Sequence, residues 1–96
     1  MVAQGDNGNL TGGAGMVSEK VILRDALDMV TIDQFIKELR GFPKTQVTVT
    51  KRGYDVDGRD AIKLAELNAA VGDELTVRCT GRDECACLRA AISMLP

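Results

Sequence analysis

The chain contains no histidine and no tryptophan, and only three aromatic residues, one tyrosine and two phenylalanines. Without an imidazole, no phosphohistidine can form on it, and a zinc site built on its cysteines would be short of a ligand. With so little aromatic mass, any core must be filled by Val, Ile, Leu and Ala. No run approaches the roughly 18 apolar residues of a membrane span, so no membrane insertion is expected. Twelve basic residues against fourteen acidic ones leave a net charge of −2 with the signs interspersed. A nucleic-acid footprint would need a basic face, and none is present. The three cysteines, Cys79, Cys85 and Cys87, are odd in number and crowded near the C-terminus. A disulfide framework calls for an even, spread set, so a reducing, cytoplasmic setting is expected.

What remains divides in two. Residues 1–15, MVAQGDNGNLTGGAG, hold five of the ten glycines. Such a stretch has too little apolar surface to offset the entropy of ordering it. It also lacks the basic and apolar regions of a secretory signal. The expectation is a disordered leader, native or left over from expression, followed by a single domain over residues 16–96. At about 80 residues that domain has a marginal core.

Lys20–Arg24 is a β-branched run expected to form a first strand. From Met29 the period changes, with Ile32, Phe35, Ile36 and Leu39 falling on one helical face. Asp28 is the natural N-cap, with Thr31 and Gln34 as an alternative capping box; Gly41 and Pro43 stop the helix. Thr45–Lys51 alternates apolar with polar residues and reads as a half-buried strand, joined through Gly53 to a second strand, Tyr54–Val56. Asp60 then caps a short helix with Ile62, Leu64 and Leu67 as its apolar contacts. Glu74–Thr80 alternates as a fourth strand. A last helix from about Asp83 is expected to place Cys85, Leu88, Ile92 and Leu95 on one face. The predicted order is β-α-β-β-α-β-α, an α+β open-faced β-sandwich whose four-stranded antiparallel sheet is covered by helices on one face.

This order resembles that of the HPr family, the histidine-containing phosphocarriers of the sugar phosphotransferase system. QFIKELRGF (Gln34–Phe42) is similar to the family's first helix and following turn. VTVTKRGYDVDGRDAIKL (Val47–Leu64) is similar to its hairpin and short regulatory helix, and LTVRCTGRDE (Leu75–Glu84) to its last strand and glycine turn. The resemblance spans about residues 19–95 and implies the HPr-like fold. It also implies a histidine at the N-terminus of the first helix, followed by an arginine and a proline. The physical logic of that site is the unpaired N–H groups and positive dipole of a helix start, which hold a phosphoryl group.

In this chain Asp28 stands where the histidine belongs, Val30 where the arginine belongs and Thr31 where the proline belongs. The family's regulatory serine, which opens the short helix, is replaced by Asp60. Both aspartates are expected to cap helices. Asp60 would be at most a partial mimic of phosphoserine, because it carries one negative charge where a phosphoserine carries about −1.5 to −2. By the same resemblance the partner-binding face comprises Ala61 and Ile62 with the basic residues Lys37 and Arg40. Met29 and Val30 extend it, unless the loop before the helix half-buries them.

Two thiols at i and i+2 of a helix project about 200° apart, so Cys85 and Cys87 cannot chelate one ion. Cys79 and Cys85 could meet across a turn, but the expectation is buried free cysteine behaving as a small hydrophobe. Neither a metal, a cofactor nor catalysis is expected. The leading functional expectation is a regulatory or adaptor protein that binds protein partners, with phosphotransferase-system enzymes or a transcriptional regulator as candidates. The alternatives are a phosphoryl carrier using Asp28, and an HPr-fold binding domain recruited to an unrelated pathway. The sequence leaves the oligomeric state open.

Overall fold

The computed structural model describes residues 16–96; the expected leader, residues 1–15, lies outside the described residues. Four strands, β1 (Met16–Ile22), β2 (Thr45–Lys51), β3 (Tyr54–Asp57) and β4 (Glu74–Gly81), alternate with three helices, α1 (Met29–Leu39), α2 (Ala61–Glu66) and α3 (Glu84–Ser93). The strands form one antiparallel sheet in the order β1-β4-β2-β3. Order and class match the expected open-faced sandwich.

Strand alternation sorts the side chains. Val47 lies opposite Cys79 and Val49 opposite both Val77 and Val56, and all five are buried. The intervening residues form a polar face: Thr48 lies opposite Arg78 and Asp57, and Thr50 opposite Thr76 and Asp55. There the Thr50 hydroxyl donates to Asp55 at 2.6 Å, and Arg78 approaches the same carboxylate at 3.6 Å. The apolar face meets the helices through Ile32, Phe35 and Leu39 of α1, Leu64 of α2, and Cys87, Leu88 and Ala91 of α3. The two-residue loop Arg52-Gly53 joins β2 to β3 with positive φ at both positions (52° and 81°), the geometry of a type I′ hairpin.

Three expectations are corrected. The first strand spans Met16–Ile22 rather than Lys20–Arg24, because all seven of its residues pair with β4. Leu23 then leaves the sheet, donates to the Asp73 carbonyl at 2.9 Å and is buried in the core. In α2, Leu64 and Leu67 are buried as expected, whereas Ile62 is 70% exposed. In α3 it is Cys87, Leu88 and Ala91 that face inward, while Cys85 is exposed and Ile92 and Leu95 are only half-buried. The helix starts after Asp83, held in a left-handed conformation (φ 59°), and that start rotates Cys87 rather than Cys85 onto the sheet.

Candidate functional site

The helices α1 and α2, with the residues that cap them, carry every position expected to bind a partner or to replace a phosphorylated residue, and hydrogen bonds between their ends fix how they lie. Leu27, just before α1, donates to the Ala69 carbonyl just after α2, at 3.0 Å. At the other end Arg59, just before α2, reaches the carbonyls of Leu39 and Phe42 at the end of α1. The two helices therefore run antiparallel, side by side.

Asp28 caps α1 as expected: it is extended (φ −90°, ψ 176°) and its carboxylate accepts from the Thr31 N–H at 2.8 Å. The Thr31–Gln34 capping box is not used. The Thr31 backbone N–H, reinforced by its side chain, holds the Asp28 carboxyl below the usual aspartate value. An anion thus already takes the Thr31 N–H at this helix start, and no cation among the described residues lies within ion-pair distance of it. Asp60 plays the same part for α2, accepting from the Lys63 N–H at 3.1 Å.

Met29 (52%) and Val30 (65%) are exposed, so the loop before α1 does not bury them. Ile62 is more exposed still, and Ala61 beside it is half-buried. Because the helices are antiparallel, Ile62 on the first turn of α2 lies toward the C-terminal half of α1, where Lys37 and Arg40 stand. Met29 and Val30 lie at the other end. The apolar elements thus share one helix pair without forming a single patch. Lys37 and Arg40 are exposed and make no ion pair among the described residues.

Two residues that hold this face together were not singled out from the sequence. Arg59 donates to the carbonyls of Thr45 (2.8 Å), Leu39 (3.1 Å) and Phe42 (2.7 Å). Lys51 donates to the carbonyls of Leu67 (2.8 Å) and Asn68 (3.2 Å) behind α2, and pairs with Asp73 at 3.1 Å. Both contacts join residues 14 to 22 positions apart, beyond any local periodicity; the only available signal was a cation flanking a short helix.

The cysteines are free. Cys79 and Cys87 are buried against each other, and Cys85 is exposed. Burial, reinforced by the neighbouring Cys87, pushes the Cys79 thiol up to about 12; burial likewise raises Cys87. The expectation of buried free cysteine holds for Cys79 and Cys87 and fails for Cys85, and the thiols that approach each other are Cys79 and Cys87. Among the described residues no cluster suited to a metal ion occurs, and no helix is long and apolar enough to cross a membrane.

Comparison with known proteins places this geometry. Residues 18–95 match the family described as PTS HPr component phosphorylation site. The phosphocarrier protein HPr of Haemophilus influenzae is 27% identical over 77 residues, covering 80% of this chain and 89% of that protein. In fold, the chain is similar to a phosphocarrier protein HPr from Bacillus anthracis (TM-score 0.75, 22% identity, 84% of this chain and 98% of that one). It is also similar to an HPr from Thermoanaerobacter tengcongensis (TM-score 0.71, 17% identity, 84% and 90%). With the sheet order, the helix pair and a family match over nearly all the described residues in agreement, the chain belongs to the HPr family of the phosphotransferase system.

Proposed function

We propose that this chain is a regulatory or adaptor member of its family, which docks protein partners on the α1–α2 face and carries no phosphoryl group on histidine. The observation that carries the reading is the pair of aspartates. Asp28 and Asp60 stand where the family places its phosphorylated histidine and serine, and both carboxylates are committed to helix caps. Phosphorylating Asp28 would displace a cap hydrogen bond and add charge beside Met29 and Val30, which offer no compensating cation. A helix start that already holds its own anion is suited to static recognition.

The exposed Ile62 and the exposed Lys37 and Arg40, which make no ion pair among the described residues, supply the means to dock. An exposed apolar residue on a helix pair that also carries exposed cations suits a partner that presents an apolar residue within an acidic surface. Phosphotransferase-system enzymes and a transcriptional regulator are the candidate partners, in a cytoplasmic setting consistent with three free cysteines. The test is co-precipitation with the wild type, Ile62→Asp and the double variant Lys37→Glu/Arg40→Glu. Loss of the same bound proteins from both variants supports the assignment, and unchanged recovery counts against it.

A further inference from the structure

We infer that Arg59 is the positioning residue of the docking face: its guanidinium sets α2, and with it Ile62, against α1. This inference rests on the docking reading above. Six residues are too few for a helix to persist on its own propensity, so α2 depends on what pins its ends. Its C-terminal end is held by Lys51, whose ammonium takes the Leu67 and Asn68 carbonyls and is neutralised by Asp73. Its N-terminal end is held by the Asp60 cap, by the Gly58 N–H on the Val47 carbonyl at 2.8 Å, and by the Arg59 side chain, which among these alone reaches α1.

The geometry at Arg59 is that of a strut. One terminal nitrogen donates to Leu39 and Phe42, at the negative end of α1, and the other donates to Thr45 at the start of β2. The Arg59 backbone N–H is itself held by the Asp57 carboxylate at 2.9 Å, so the side chain reaches out from a fixed point. All three acceptors are partly buried, which makes the contacts stronger than surface ones. A planar fork serves three diverging carbonyls; a lysine ammonium on its flexible stem cannot reproduce that arrangement. Three residues after this strut comes Ile62, the most exposed apolar member of the docking face. The guanidinium touches no partner and acts through α2.

The test uses Arg59→Met, Arg59→Lys and, as a control, Ile92→Ala, which lowers stability through α3. Amide hydrogen exchange is measured by NMR on the whole chain. The strut predicts that Arg59→Met speeds exchange in Ala61–Leu67 by about tenfold or more while β4 keeps its protection. Arg59→Lys should fall between, and Ile92→Ala should leave α2 as in the wild type. Binding to purified enzyme I of the phosphotransferase system is then compared at a temperature where every variant is folded. Arg59→Met should lose affinity as Ile62→Asp does, whereas Ile92→Ala at equal or lower melting temperature should not. Unchanged α2 exchange in Arg59→Met overturns the inference whatever the binding result. If the wild type fails to bind, that counts against the docking reading, and exchange alone decides the role of Arg59.

Discussion

Replacing Gly81 by alanine tests how the end of the sheet is locked to the loop after α1. Gly81 closes β4 with φ at 124°, and a Cβ there would lie 2.6 Å from the Lys44 carbonyl oxygen and 3.3 Å from the Thr45 Cα. That oxygen cannot swing aside, because it is backbone and accepts the Arg82 N–H. The Thr45 hydroxyl, in turn, donates to the Arg82 carbonyl. Two penalties therefore add. The backbone conformation costs a side chain about 1–3 kcal/mol, and forcing the two segments apart costs about another 1–3 kcal/mol. Gly53 is the control: its φ is also positive, at 81°, but nothing lies within 4 Å of an added Cβ. Gly53→Ala should cost only about 1–2 kcal/mol of conformational strain. In a domain of this size each kcal/mol lowers the melting temperature by about 4–8 °C. Thermal unfolding followed by circular dichroism should place Gly81→Ala roughly 10 °C or more below Gly53→Ala. Equal melting temperatures would show that the close approach to Lys44 does not hold in solution.

Thiol labelling of the native protein should modify one cysteine rapidly, at Cys85, with Cys79 and Cys87 reacting only after denaturation. Two fast-reacting thiols would contradict the packing of β4 against α3. Stability should also fall in acid. Asp28 and Asp73 both titrate below their ordinary value of 3.8 in the folded chain, chiefly through the Thr31 and Ala70 N–H groups respectively. The unfolded chain therefore takes up protons first. The stabilisation is complete above about pH 5 and is lost as pH drops through the lower folded values. Urea midpoints should decline below about pH 5, and Asp73→Asn should decline less steeply than the wild type; parallel curves would remove Asp73 from the explanation.

Where the sequence was readable, a local period or cap wrote the structure. α1 follows from Ile32, Phe35 and Leu39 on one face, with Asp28 before it, and β2 and β4 follow from strict alternation. The caps at Asp28 and Asp60 were visible for the same reason, since a cap bonds within three residues. Errors came where partners are distant. β1 takes in Met16–Glu19 because β4 is long enough to pair with them, and that partner is distant in sequence. Cys87 faces inward because Asp83 adopts a left-handed turn, which shifts the phase of α3. Ile62 and Leu64 are two residues apart, about 200° around the helix, so only one of them can face the sheet, and only the placement of α2 decides which is buried. Arg59 was invisible because its acceptors are backbone carbonyls, which carry no residue identity, and Lys51 because its carbonyls and its partner Asp73 lie 16 to 22 residues away.

The central claim is that this member of the family docks without carrying a phosphoryl group. It is tested most directly by incubating the chain with phosphoenolpyruvate, enzyme I and Mg²⁺ and measuring its intact mass, beside a histidine-bearing HPr as positive control. The predicted result is no 80-dalton adduct on this chain under conditions that fully load the control. A stoichiometric adduct with the lability of an acyl phosphate, absent from Asp28→Asn, would contradict the claim and make Asp28 a phosphoryl carrier.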